Sequence, residues 1–201
     1  GKGTFIYDDY FAKLQQNGMN WARVWQCPWW CGLEWTKQWP GYQGLGRYNL
    51  ENAWRFDYLL AQAERRGIYL QVCLTNHGQI TIERHIDRQW DSNPLNAELG
   101  EGGPLKRAAE FYTNPVARKL FRQRLRYTVA RWGYSTHLMA WALFSEMEFT
   151  EAYWRDAGGK NDFQGTVRCP VVANWVGQMA AALKKLDPFD HLVTCLLYTS
   201  P

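Results

Sequence analysis

The sequence predicts an α/β protein in which parallel strands are covered by outer helices. Apolar runs that are typical of buried strands alternate with segments whose apolar residues recur at helical spacing. The strand segments are nearly continuous apolar runs, as expected for strands whose two faces are both covered. Regular alternation of helix and strand indicates a parallel sheet with helices packed against it.

Capping residues set the boundaries of the predicted helices. Asn49 can accept a hydrogen bond at the start of the second helix, and Pro115 is suited to the first turn of the third. Either Thr113 or Asn114 could cap that third helix. The predicted helices cover residues 8–17, 50–66, 115–132 and 172–186.

The loop lengths indicate which edge of the sheet carries function. Predicted strands cover 19–25, 68–74 and 138–144, and a fourth begins near 191. The helix-to-strand links are short, whereas the strand-to-helix links are long, and long loops are usually functional. In a (β/α)8 TIM barrel these loops form the active face, and such a barrel typically has roughly 250 residues. We therefore predict a partial (β/α)8 TIM barrel for these 201 residues.

Polar and aromatic side chains stand where three of the predicted strands end. Because side chains alternate along a strand, Ala140, Ala142, Phe144 and Glu146 are predicted to share the inward face. The candidate site residues at these strand ends are Arg23, Trp25, Asn76, His77, Ser145 and Glu146.

A carboxyl group at such a strand end suits glycoside chemistry. Held near neutrality, it can protonate a leaving oxygen, and glycoside cleavage uses two carboxyl groups that flank the bond. The structural alternatives are that Glu146 forms an ion pair with Arg23, since structural pairs perturb carboxylates too, or that it begins an irregular helix after the strand. Glu34 is a weaker candidate, and Glu148 and Glu151 are expected to be solvated. The tryptophans that could stack on sugar rings are Trp25, Trp29, Trp30, Trp35 and Trp90, whereas Trp141 and Trp175 are expected in the core.

Composition and charge do not indicate a membrane protein or a nucleic-acid-binding protein. The net charge of +4 implies no particular partner, and no run of 18 apolar residues could span a membrane. Arg118, Arg122 and Arg126 recur every four residues on an amphipathic helix, which favours a solvated face over a nucleic-acid site.

Motifs of other chemistries are missing from the sequence. Five cysteines leave at least one without a partner, and Cys27 and Cys31 at C-x3-C spacing are a weak zinc signal, so no metal site is predicted. The sequence contains no GxGxxG after a strand, no GxSxG, no GxxxxGK[ST] and no HExxH. No cofactor is expected.

Four sequence blocks resemble the clan A glycoside hydrolases, above all the cellulase-like family five group. They are NGMNWARVW, GRYNLENAWRFDYLLAQAERRGIYLQVCLTNHGQ, RWGYSTHLMAWALFSE and LDPFDHLVT. The resemblance implies a (β/α)8 barrel that cleaves β-glycosidic bonds in polysaccharides or oligosaccharides with retention. It implies that Glu146 is the acid/base, that Arg23 and His77 bind or position the sugar, and that secretion is plausible. A carbohydrate is the expected partner, with neither nucleic acid nor membrane, and no particular glycan or oligomeric state is indicated.

The sequence departs from the family pattern in two ways. The family has Asn-Glu where this chain has Ser145-Glu146, and Asn76 and Ser145 are the polar groups expected to help hold the sugar. The family's nucleophile belongs to the seventh strand, whereas residues 1–195 resemble strands two to five only. We therefore expect an incomplete catalytic barrel that is inactive by itself, followed at 196–201 by a suspected non-native tail. The alternative is a non-catalytic carbohydrate-binding barrel.

Overall fold

A computed structural model describes residues 3–82, 87–156 and 169–196 of the chain. In these ranges four parallel strands form one open sheet in the order β1-β2-β3-β4, as the partial-barrel prediction requires. The strands are β1 Trp21–Trp25, β2 Tyr69–Cys73, β3 Leu138–Ser145 and β4 Leu192–Leu196. The helices are α1 Ile6–Gln16, α2 Leu50–Arg66, α3 Pro115–Trp132, α4 Glu151–Asp156 and α5 Pro170–Leu186. No helix of the described ranges is long and apolar enough to cross a membrane. Residues 197–201 of the suspected tail lie outside these ranges.

The predicted caps define the ends of two long helices. The Asn49 side chain accepts a hydrogen bond from the Asn52 amide at 3.0 Å, at the start of α2. Gly67 ends this helix in the left-handed region, with φ of 66°, where glycine carries no steric penalty. At the start of α3, the cap is Asn114 rather than Thr113, because its side chain accepts from the Val116 amide at 2.9 Å.

We expect Asn114→Ala to lower the free energy of unfolding by about 1 kcal/mol, because it removes the acceptor at the start of α3. Thr113→Ala is the matched control. The Thr113 hydroxyl makes a 3.4 Å hydrogen bond to the Glu110 carbonyl and caps no amide of α3. Denaturant unfolding of both variants measures the difference, and equal losses would contradict the assignment of the cap.

Large aromatic side chains fill the core between the sheet and the helices. Trp141 and Trp175 are fully buried, which confirms their predicted core positions. The Trp175 ring lies 4.8 Å from that of Phe121 and 5.3 Å from that of Phe111, measured between ring centroids. The Trp141 indole donates to Asp187 Oδ2 at 3.1 Å, so this buried N–H is satisfied. These contacts fasten α3 and α5 to one face of the sheet.

The strand register aligns residues across the opposite, inner face of the sheet. One row joins Arg23, Gln71, Ala140 and Leu192, and the next joins Trp25, Cys73, Ala142 and Thr194. Arg23 and Trp25 belong to these rows, whereas Val24 between them is 4% exposed and belongs to the buried core on the other side. The inner face is open to solvent, because the side chains of Trp21, Tyr69 and Leu192 on it are 46%, 41% and 63% exposed.

The prediction that Phe144 points inward is wrong. The Phe144 ring is fully buried and packs against Trp175 of α5, on the helix side of the sheet, with the two ring centroids 6.3 Å apart. The pairing between β3 and β4 shifts register between Ala142 and Ser145. This irregularity breaks the simple alternation, so counting residues by two from Ala142 does not predict directions at the end of β3.

Candidate active site

Glu146 follows β3 in an unusual backbone conformation. Its φ of 60° and ψ of 56° lie in the left-handed region, which few residues other than glycine occupy. A short 3₁₀ turn, Met147–Phe149, begins directly after it. The chain therefore reverses sharply at Glu146, and this reversal holds the carboxylate at the C-terminal edge of the sheet. Strained residues of this kind concentrate at functional sites.

The Glu146 carboxylate faces the imidazole of His77. Oε2 of Glu146 lies 2.8 Å from Nδ1 of His77, although the ring nitrogen is not aligned for a hydrogen bond. The two side chains are 25% and 10% exposed, so the pair is shielded but reachable from solvent. The rings of Trp25 and Phe149 pack edgewise against His77.

Burial lowers the pKa of His77, and the neighbouring charges of Glu146 and Asp87 oppose that shift only in part. The imidazole is therefore neutral near pH 7, and a neutral imidazole can donate or accept one proton beside the carboxyl group. A carboxyl group next to such a partner, at the wet edge of a sheet, is suited to proton transfer.

Arg23 belongs to the same end of the sheet. Its guanidinium carbon lies 5.6 Å from the centroid of the Trp25 ring, within cation–π range. Trp25 in turn contacts His77, with ring centroids 6.4 Å apart. Successive contacts thus lead from Arg23 through Trp25 and His77 to Glu146, which supports the predicted clustering of these side chains.

Asn76 and Ser145 lie beneath this surface rather than on it. Both are 1% exposed, and the two residues pair as a parallel bridge between the ends of β2 and β3. The Asn76 side-chain oxygen accepts from Gln79 Nε2 at 2.8 Å. Among the described residues, Nδ2 of Asn76 and Oγ of Ser145 have no hydrogen-bond partner. Buried polar atoms of this kind are costly. At 1% exposure neither side chain reaches the surface that a sugar would contact, so the predicted role in holding the sugar does not fit Asn76 or Ser145.

Of the five tryptophans predicted to stack on sugar, three have suitable positions. Trp29 is 49% exposed, Trp30 is half-buried against Tyr7, and Trp25 borders His77. Trp35 and Trp90 are only 1% and 6% exposed, so they offer no ring face to a sugar and the predicted stacking role does not fit them. Both belong to the packing of the long loops.

The other acidic candidates are structural in this arrangement. Glu148 and Glu151 are 8% and 3% exposed, so the prediction that they are solvated is wrong. Glu151 accepts a hydrogen bond from the Ala109 amide at 2.8 Å, which ties α4 to the preceding loop. Glu34 accepts from the Gly46 amide at 2.7 Å, and burial raises its pKa.

Four of the five cysteines do not supply a reactive thiolate. Cys27, Cys31, Cys73, Cys169 and Cys195 are all free thiols. Burial raises the pKa of Cys27, of Cys73 and of Cys195 to about 12, and that of Cys31 also rises well above its usual value. These four stay protonated near neutrality and are poor nucleophiles. In the described ranges, no three His, Cys, Asp or Glu side chains converge as metal ligands do.

Sequence reasoning missed one cationic residue next to the site. Arg124 of α3 donates from Nη2 to the Thr75 hydroxyl at 2.7 Å, two residues before His77. Its position gave a signal, because Arg124 lies between Phe121 and Leu125, on the helix face that packs on the sheet.

Comparison with known proteins gives a consistent set of relatives, although no family model matches the chain. It is 30% identical over 140 residues to mannan endo-1,4-beta-mannosidase F of Aspergillus fumigatus, covering 69% of this chain and 25% of that protein. It is 27% identical over 202 residues to the Aspergillus clavatus enzyme of the same name, covering 93% of this chain and 38% of that one. Mannan endo-1,4-beta-mannosidase 3 of Oryza sativa is 24% identical over 192 residues, covering 92% of this chain and 35% of that protein.

Solved structures agree on the fold. The endo-beta-1,4-mannanase from Thermotoga petrophila superposes with a TM-score of 0.63 at 20% identity, over 99% of this chain and 40% of that one. A glycoside hydrolase family 5 mannosidase from Rhizomucor miehei superposes with a TM-score of 0.58 at 19% identity, over 94% of this chain and 45% of that one. The chain is a relative of the family five glycoside hydrolases. It spans about a quarter to two-fifths of the length of the curated family five relatives named above.

Proposed function

We propose that this chain is part of a retaining β-glycoside hydrolase in which Glu146 is the acid/base. One observation carries the proposal: the left-handed turn after β3 holds the Glu146 carboxylate 2.8 Å from the buried His77, at the edge where the strand-to-helix loops meet. In parallel α/β folds this edge is the usual place of catalysis. The similarity to mannan endo-1,4-beta-mannosidases supports the class of reaction.

The proposed mechanism uses two carboxyl groups. The Glu146 carboxyl donates its proton to the glycosidic oxygen, and the leaving sugar departs as an alcohol. A second carboxylate, which we place outside this chain, attacks the anomeric carbon and forms a glycosyl-enzyme ester. The Glu146 carboxylate then removes a proton from water, the resulting hydroxide oxygen attacks the same carbon, and the ester bond breaks. Glu146 ends protonated, as it began.

His77 and Arg23 hold the sugar and the acid/base in place in this proposal. The neutral His77 ring places no positive charge beside Glu146, so it does not favour the ionised carboxylate over the proton-carrying form as a cation would. Arg23 supplies a positive charge on the inner face, beside Trp25. Trp25, Trp29 and Trp30 would provide ring faces for successive sugars, and the buried Asn76 and Ser145 would hold the ends of β2 and β3 together beneath them.

The substrate class that we propose is a β-1,4-linked mannan, because the curated relatives carry that specificity in their names. Since those relatives are longer, we also propose that residues 1–195 form part of a longer catalytic domain. Secretion of that protein remains an expectation from the resemblance.

The full-length protein that contains this chain should release reducing ends from β-1,4-mannan faster than from cellulose or xylan. A rapid drop in viscosity would indicate cleavage within the polymer. Cleavage of none of the three polymers would contradict the proposed function. Binding of mannan without cleavage would instead favour the alternative, a non-catalytic carbohydrate-binding barrel. The presence of Ser145 where the family has asparagine is the observation that favours this alternative.

A further inference from the structure

A partly buried arginine reaches the candidate site from the helix behind the sheet. Arg124 donates from Nη2 to Oγ1 of Thr75 at 2.7 Å, and Thr75 is 2% exposed. Thr75 directly follows Leu74 at the end of β2, and it precedes Asn76 and His77. The sequence gives Thr75 no catalytic task, yet a charged side chain 49 residues away is committed to its hydroxyl.

Thr75 is the junction between the two strands that carry the site. Its carbonyl oxygen accepts from the Ser145 amide at 2.9 Å, directly before Glu146. The same carbonyl accepts from the Cys73 thiol at 3.2 Å. A displacement of Thr75 would therefore move the segment that carries His77 relative to the residue that carries the acid/base.

The surroundings of Arg124 keep it charged and fixed. Its guanidinium carbon lies 4.9 Å from the centroid of the Phe121 ring. Burial lowers the pKa of Arg124, and the charge of Glu34 across a cavity of about 40 Å³ opposes that shift. The hydrogen bond to Thr75 is thus charge-assisted, which makes it stronger than one between neutral groups.

We propose that Arg124 is a positioning residue, which acts through Thr75 to hold His77 opposite Glu146. The inference rests on the proposed function, since it assigns a task to Arg124 within that site. Misplacement of catalytic groups by small distances is costly even when they are all present. Arg124 would therefore affect turnover without contacting the substrate.

Thr75→Val tests the proposal because it removes the hydroxyl that accepts the Arg124 hydrogen bond. Valine has nearly the same shape as threonine, so the packing around position 75 should change little. We expect kcat on mannan to fall roughly tenfold to a hundredfold, with KM nearly unchanged. Thr75→Ser keeps the hydroxyl and should retain most of the activity. Arg122→Met, on the exposed face of the same helix, should leave kcat unchanged. A loss in Thr75→Ser equal to that in Thr75→Val would overturn the proposal.

The titration of His77 gives a readout that does not depend on activity. The charged groups that face its ring are Glu146 and Asp87, and burial is the larger influence on its pKa. If Arg124 holds this segment closed, Thr75→Val should admit water and raise the pKa of His77 toward its ordinary value. Nuclear magnetic resonance of the imidazole signals in the full-length protein measures it, with His77→Asn to assign the resonance. An unchanged titration in Thr75→Val would overturn the proposal.

The two readouts separate the inference from the proposed function. A wild-type protein that cleaves none of the β-linked polymers would contradict the proposed function, while the His77 titration would still decide whether Arg124 positions the ring. Should Thr75→Val fail to fold, Arg124→Lys takes its place. It keeps the charge but loses the planar fork of donors, so it should lower kcat and shift the titration in the same direction.

Discussion

Glu146→Gln should slow the hydrolysis of mannan by roughly a hundredfold to ten-thousandfold, which is the usual contribution of general acid–base catalysis. The amide preserves the size of the side chain but can neither donate nor remove the proton at the glycosidic oxygen. Affinity for a manno-oligosaccharide should change little, because the shape of the site is kept. Steady-state kinetics and calorimetry on the full-length protein measure the two effects.

A comparison of substrates with different leaving groups tests whether Glu146 acts as the acid. Activated aryl glycosides depart without protonation, so formation of the glycosyl-enzyme from them should suffer much less in Glu146→Gln than it does with mannan. Glu98→Gln, at an exposed position outside the site, controls for the loss of one negative charge. A small and equal loss on both kinds of substrate would leave Glu146 with only a structural role beside His77.

A polypeptide of these 201 residues, expressed by itself, should bind a hydrophobic dye and unfold without a cooperative transition. The inner face of the sheet exposes Trp21, Tyr69 and Leu192, which a closed barrel would cover. Within the described ranges β1 and β4 each pair with a single strand, so two parallel edges are open. Dye fluorescence and thermal unfolding followed by circular dichroism give the result.

The full-length protein is the control, since it should exclude the dye and melt cooperatively. A soluble monomer of the 201-residue polypeptide with a sharp melting transition would show that this part of the barrel is stable with its inner face exposed. That outcome would leave the assignment of Glu146 untouched, because it concerns the packing of the sheet and not the chemistry at its edge.

Local signals predicted the secondary structure well. Asn49, Gly67 and Pro115 act within one turn of their own helix, so a helix boundary can be recognised from a few neighbouring residues. The parallel order of the strands followed from the alternation with helices. The pairing of His77 with Glu146 was also within reach, because the C-terminal ends of neighbouring parallel strands meet at one edge.

Features that depend on distant partners could not be predicted. Trp35 and Trp90 are buried by other parts of the long loops, and nothing in their own sequence neighbourhood differs from that of the exposed Trp29. Glu151 is buried because the Ala109 amide, 42 residues away, donates to it. The reversed direction of Phe144 comes from a register shift against β4, which the pattern of β3 alone does not contain.

The backbone at Glu146 also bears on how the protein can change. A non-glycine residue in the left-handed region costs about 1–3 kcal/mol, so glycine at this position would relieve the strain and favour the folded state. Heat resistance and turnover therefore make opposite demands on a single position. Under the proposed function, Glu146→Gly would therefore gain stability and lose the carboxylate that the acid/base role requires.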